Sequence, residues 1–90
     1  MNSVIIVKQI IHGQEAIIGP MALEQAKKVA GIQISSAGDI KIQGNEKDVL
    51  TSLVEQYEKL FGRASVEVCK DAVKEIRPAP LPDELPEILR

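Results

Sequence analysis

The chain has 90 residues, a length that predicts one domain with a core of modest size. Its 11 basic and 13 acidic residues give a formal net charge of −2, which argues against the strongly basic surface of most nucleic-acid-binding proteins. The single cysteine excludes an internal disulfide, and no apolar run is long enough to span a bilayer. With no recognisable secretion leader, we expect a cytoplasmic protein.

The N-terminal segment is dense in β-branched residues. Residues 4–11 carry apolar side chains at both alternating positions except at Lys8 and Gln9, a pattern that predicts a strand buried on both faces. His12 and Gly13 then predict a turn. Residues 16–18 are compatible with a second strand or with a helical turn, and we favour the strand.

A short helix and a hairpin are predicted next. Pro20 suits the first position of a helix and Gly31 the position after its end, so the pattern predicts a helix over residues 20–30. Residues 32–35 and 39–43 alternate apolar and polar side chains and are separated by a short turn segment. This alternation predicts a β-hairpin with one buried face.

The longest helical pattern predicts a helix over residues 45–61. It begins at Asn45, a favoured N-cap residue, and carries apolar side chains every three or four positions. Gly62 can end this helix in a left-handed conformation before a further helix over residues 65–76, or it can lie within one continuous helix. We favour a break near Gly62, because the apolar face beyond it is narrower and more β-branched.

The composition changes after residue 76, where prolines at alternate positions exclude a regular helix and favour an extended chain. The sequence therefore divides into a compact domain of residues 1–76 and a proline-rich tail of residues 77–90. This tail can dock on its own domain or in the groove of a partner. Its candidate docking side chains are Leu81, Leu85, Ile88 and Leu89. The expected fold class is α+β, with a small, mostly antiparallel sheet covered by about three helices.

No group of residues has the sequence spacing of a catalytic or metal-binding site. His12 is the only histidine and is expected on the surface, while Cys69 is expected as a buried thiol on the inner face of the last helix. One histidine and one cysteine so far apart do not match metal-ligand spacing. We therefore predict no enzyme activity, no cofactor and no metal.

Ile17-Ile18-Gly19 precede a predicted helix, and Gly31 and Gly44 stand before a strand and before the long helix. In this order of elements, residues 17–61 resemble a degenerate KH domain, whose GxxG loop also precedes a helix. The GxxG loop is not intact, since Ala22 replaces its second glycine. The resemblance implies weak binding of nucleic acid. The lysines that would make the contacts are Lys8, Lys27, Lys28 and Lys41.

Our leading hypothesis is a non-catalytic protein–protein interaction or regulatory module, expected as a homodimer. It is favoured by the absence of a recognisable chemical site, together with more apolar helix surface and an apolar tail than one small sheet requires. The expected partner is another protein or a second copy of the chain. Weak nucleic-acid binding through the KH-like surface is the alternative, and no membrane is expected to be involved.

Overall fold

The computed structural model of this protein describes residues 3–35 and 38–90. These residues form an α+β fold with four α-helices and one two-stranded antiparallel sheet. In chain order, the helices and strands are α1 (Ser3–Ile18), α2 (Met21–Lys27), β1 (Ile32–Ile34), β2 (Ile40–Ile42), α3 (Glu46–Phe61) and α4 (Ala64–Lys74). Two short 3₁₀ turns, Pro82–Glu84 and Glu87–Leu89, follow α4. The α+β class is as predicted, but the described part of the chain has one helix more and a smaller sheet than expected.

The N-terminal segment is a helix. The strand predicted over residues 4–11, the turn at His12 and the strand favoured for residues 16–18 are therefore wrong. The side chains that α1 buries recur at intervals of three and four residues, as in any helix that packs on a core. They are Ser3, Ile6, Val7, Ile10, Ile11 and Gln14. β-branched residues favour strands only weakly, and packing against α2 and α4 outweighs that preference here.

The hairpin is confirmed, with shorter strands than predicted. β1 and β2 pair antiparallel in a register that sets Ile32 opposite Ile42 and Gln33 opposite Lys41. The isoleucine side chains of both strands pack on the core, whereas Gln33 and Lys41 are exposed. Residues 36–37 of the predicted turn lie outside the described residues. The sheet therefore has the one buried face that its alternation predicts.

The helix predicted over residues 20–30 forms in the right place but ends earlier, at Lys27. The chain then reaches Gly31, which has a φ of +90°. A Cβ at Gly31 would lie 2.7 Å from the carbonyl oxygen of Gln43 and 2.7 Å from Cγ2 of Val49. Both the backbone angle and the close approach therefore require glycine where the chain enters the sheet.

Both ends of α3 follow the sequence prediction. The side chain of Asn45 accepts a hydrogen bond from the amide of Asp48 at 3.1 Å and so caps the N-terminus. At the other end, Gly62 has a φ of +83°, and its amide donates to the carbonyl oxygen of Glu58 at 2.8 Å. Since α4 begins at Ala64, the break favoured near Gly62 is confirmed.

The core lies between the helices, and Tyr57 of α3 is its largest fully buried side chain. The Tyr57 hydroxyl donates to the carbonyl oxygen of Ala22 at 2.6 Å, which links α3 to the start of α2. Gln14 of α1 is also buried, and its Nε2 donates to the carbonyl oxygen of Ser65 at 3.0 Å and to Sγ of Cys69 at 3.3 Å. All three bonds satisfy buried polar groups, and the two from Gln14 hold α1 against α4.

Replacing Gly31 by alanine should lower the free energy of unfolding by more than the same change at Gly19. Both glycines have a positive φ, +90° and +67°, which costs an alanine about 1–2 kcal/mol, but nothing lies within 4 Å of a Cβ at Gly19. The contacts around Gly31 should add about 1–3 kcal/mol, as overpacking does. Urea unfolding of the two variants measures the difference, and equal losses would contradict the close approach at Gly31.

Candidate docking face

The C-terminal tail packs against its own domain. Its second 3₁₀ turn contacts α3 and α4, and Leu85 and Leu89 are buried in the same core cluster as the helices. Ile88 is half-buried against that cluster, whereas Leu81 is 60% exposed. Of the four side chains predicted to dock the tail, three therefore pack on the chain's own core, and Leu81 remains on the surface.

Hydrogen bonds within the tail hold it in a compact shape. Nε of Arg90 donates to the carbonyl oxygens of Pro82 and Leu85, at 2.8 and 3.0 Å. The segment that leads into the tail, residues 77–82, is exposed apart from the half-buried Pro80. It crosses one end of the helical bundle as a ridge with a groove on each side.

The groove on one side of this ridge is mainly apolar, and we call it the apolar groove. It has a volume of about 430 Å³ and lies between the start of α1 and the proline-rich segment. Its lining includes six apolar residues, Ile5, Ile6, Ile76, Pro78, Pro80 and Leu81, and two charged residues, Arg77 and Glu84. Since the first residues of α1 meet the chain just after α4 here, the two helices run antiparallel.

The groove on the other side lies between the last turns of α4 and the tail, with a volume of about 530 Å³. The buried side chains of Val73, Leu85 and Leu89 form its floor. Four basic residues and no acidic residue surround that floor. We call this groove the cationic groove. The basic residues are Lys70, Lys74, Arg77 and Arg90. Because the two grooves share Arg77, Ala79 and Pro80, they form one surface, the C-terminal face.

The positive charge of the cationic groove is only weakly compensated. Lys70 and Lys74 each lie near a carboxylate three residues earlier on α4, at 3.6 and 3.9 Å. Both carboxylates are exposed, although Lys70 is half-buried, and pairs with exposed groups contribute little. Arg77 and Arg90 instead donate to main-chain carbonyl oxygens. Within the described residues, neither guanidinium has a carboxylate at ion-pair distance. The groove thus carries excess positive charge on a chain of net charge −2.

The lysines named for the KH-like alternative lie elsewhere. Lys8 is on α1, Lys27 and Lys28 are at the end of α2, and Lys41 is on β2. All four are exposed, and none of them lines the cationic groove. Ala22, at the position of the missing glycine, is fully buried in the first turn of α2. The structure therefore collects a different set of cations from the one that the KH-like resemblance implies.

The cationic groove is not predicted from the sequence, although part of it is visible there. Lys70, Lys74 and Arg77 follow one another at intervals of four and three residues, the spacing that keeps side chains on one face of a helix. Arg90 joins them only because the tail folds back on α4. No local pattern specifies that return of the chain.

Cys69 and His12 occupy different environments. The expectation of a buried Cys69 is confirmed, and burial raises the pKa of its thiol from 9.0 to about 11, opposed by the hydrogen bond from Gln14. His12 is exposed on α1. Across residues 3–35 and 38–90, no cluster of three or more His, Cys, Asp or Glu side chains is arranged to hold a metal ion. In the same residues, no helix combines the length and apolar character needed to cross a membrane.

Comparison with known protein families, with curated proteins and with solved structures finds no match to this chain. The KH-like resemblance therefore stays a prediction from the sequence. The chemistry of the surface is what remains to indicate a function.

Shortening Leu89 to alanine should lower the free energy of unfolding by about 2–4 kcal/mol, because it leaves a cavity where the tail meets the core. The same change at the exposed Leu81 should cost less than about 0.5 kcal/mol. Urea unfolding monitored by circular dichroism compares the two variants directly. A similar small loss in both would mean that the tail does not dock.

Raising the pH should destabilise the protein through Cys69. Between about pH 9 and pH 11, an unfolded chain has lost the thiol proton that the folded chain retains. Because the unfolded state then binds fewer protons, the free energy of unfolding falls as pH rises, by up to about 1.4 kcal/mol per pH unit.

Urea unfolding at several pH values in this window measures that slope, and Cys69→Ala should flatten it. Burial also raises the pKa of Tyr57, so the variant keeps a slope above about pH 10, where a tyrosine in the unfolded chain ionises. Equal slopes for both proteins between pH 9 and pH 10 would show that the thiol is not held neutral.

Proposed function

We propose that this chain is a non-catalytic protein–protein interaction module that works as a homodimer. The observation that supports it is a group of large apolar side chains on the surface at one end of the bundle, Ile17, Met21 and Leu60, which are 64%, 48% and 46% exposed. We call this group the turn face. Contiguous exposed apolar patches are typical of binding sites on small proteins, and we take these three side chains to form one such patch.

The three side chains belong to the same end of the molecule. Ile17 and Met21 flank the turn between α1 and α2. Leu60 lies about one helical turn beyond Tyr57, whose hydroxyl contacts the carbonyl oxygen of Ala22. Gln14, near the end of α1, contacts Ser65 at the start of α4, so the end of α1 lies at the end of the bundle where α3 finishes and α4 begins. The turn face therefore draws on α1, α2 and α3.

The charges beside the turn face suit pairing with a second copy. Within three residues of its apolar side chains, the chain carries the exposed Glu15, Glu24, Lys59 and Arg63, together with the half-buried Glu58, which pairs with Arg63 at 3.7 Å. A surface that meets itself across a twofold axis avoids repulsion when both signs are present. A domain of this size buries about 60–65% of the surface its unfolded chain exposes, so burial at a dimer interface would add useful stability.

The cationic groove is unsuited to the same role. Two copies that met through this groove would bring Lys70, Lys74, Arg77 and Arg90 close to their equivalents. Like charges placed together in an interface are unfavourable. A dimer formed through the turn face leaves the C-terminal face of each copy open to a different partner.

Sedimentation velocity over a concentration series tests this proposal. The wild-type chain should sediment as a dimer. In a variant with Ile17→Ser and Met21→Ser, the dissociation constant of the dimer should be at least about tenfold higher than in wild type, because two apolar contacts are lost. Leu81→Ser is the control, since it removes a similarly exposed apolar side chain from the other end and should leave the dimer unchanged.

Urea midpoints close to the wild-type value show that the variants are folded. The proposal fails if the wild-type chain is a monomer throughout the series. It also fails if the dimer is insensitive to the changes at the turn face and is lost in Leu81→Ser.

A further inference from the structure

We infer that the C-terminal face binds an acidic, amphipathic segment of another protein. The carboxylates of that segment lie in the cationic groove, and its large apolar side chains lie in the apolar groove. This inference deepens the proposed function, since it depends on the chain acting by binding proteins, but it does not require the homodimer.

Charge complementarity selects an acidic occupant. The cationic groove collects four of the chain's 11 basic residues and has no acidic lining, although the chain as a whole is slightly acidic. A local field of one sign attracts ligands of the opposite sign and orients them as they approach. The carboxylates paired with Lys70 and Lys74 are exposed and loosely held, so they impose little cost on exchange with those of a partner.

The cations are not explained by helix stability alone. Positive side chains in the last turn of a helix interact favourably with its dipole, and this accounts for Lys74 and for Arg77 just beyond the end of α4. The helix dipole does not account for Arg90, which lies at the end of the tail. Its Nε donates to two main-chain carbonyl oxygens. The same groove therefore receives cations from two separate segments.

The guanidinium groups of the two arginines are held in position to bind carboxylates. Arg77 donates to main-chain carbonyl oxygens through Nη1, and Arg90 does so through Nε. The other N–H groups of each guanidinium are directed to no carboxylate of the described chain. A guanidinium held in this way loses little side-chain entropy when it pairs with a carboxylate, and its planar fork can hold both oxygens.

The apolar half of the face identifies the occupant as a polypeptide. Leu81 is 60% exposed beside the apolar groove, which continues into the cationic groove at Pro80. A nucleic acid would use the cations but would find no stacking surface, because the two aromatic residues of the chain are the buried Tyr57 and the half-buried Phe61. A segment that carries both carboxylates and large apolar side chains uses both halves.

A fluorescently labelled synthetic peptide tests the inference. The probe is built from Glu and Leu in helical spacing, so that one face is acidic and the other apolar, and its control has Gln in place of every Glu. Fluorescence anisotropy should show the acidic probe binding the wild-type chain, more weakly as salt rises, and at least about tenfold more tightly than the Gln control.

Two protein variants with the same change in charge locate the site. Lys74→Glu with Arg77→Glu should weaken binding of the acidic probe by at least about tenfold, because it reverses two charges of the cationic groove. Lys27→Glu with Lys28→Glu reverses two exposed charges at the end of α2 and should leave binding within about twofold of wild type. Leu81→Ser should weaken binding through the apolar groove.

Several outcomes would overturn the inference. These are no binding of the acidic probe, equal binding of the Gln control, or equal losses in the two charge-reversed variants. A labelled single-stranded oligonucleotide that binds, and that only Lys27→Glu with Lys28→Glu releases, would instead favour the nucleic-acid alternative.

If Lys74→Glu with Arg77→Glu abolishes the dimer in sedimentation, the face is occupied by a second copy. A dimer that persists without probe binding refutes this inference and leaves the proposed function intact, whereas loss of both refutes both.

Discussion

The antiparallel packing of α1 against α4 is the contact on which the rest of the structure depends. Gly13 lets the two helices approach closely, since a Cβ at this position would lie 3.1 Å from that of Ala72. Beside it, the buried amide of Gln14 donates to the carbonyl oxygen of Ser65 and to the thiol of Cys69. A buried amide left without partners is costly, so these bonds favour one register of the two helices over any neighbouring one.

This register determines where the surface chemistry collects. It places the start of α1 beside the end of α4, and the proline-rich segment passes over both before the tail reaches α3 and α4. The tail buries two leucines there and adds Arg90 to the cations that α4 and its exit already carry. The opposite end holds the α1–α2 and α3–α4 turns and the turn face. One end therefore has mixed charges, and the other has a groove of a single sign.

The elements that the sequence predicts correctly are decided by a few neighbouring residues. Asn45 caps α3 with its own side chain, Gly62 ends α3 in a conformation that other residues rarely adopt, and the hairpin follows from simple alternation. The structure of the apolar run over residues 4–11 is not decided by its neighbouring residues in this way. Apolar side chains at both alternating positions suit a buried strand, but they equally suit a helix that packs on two neighbours. The β-branched composition of this run favours a strand, and so the sequence predicts the wrong element.

By itself, the sequence determined the α+β class, the hairpin and the break between α3 and α4, because these depend on local propensity and spacing. The spacing of Lys70, Lys74 and Arg77 is local in the same sense. Only the tertiary structure decided that the first segment is a helix, that the tail docks on its own core, and that Arg90 completes the cationic groove. Each of these depends on burial between segments far apart in the chain, and the free energy of that burial outweighs local preference.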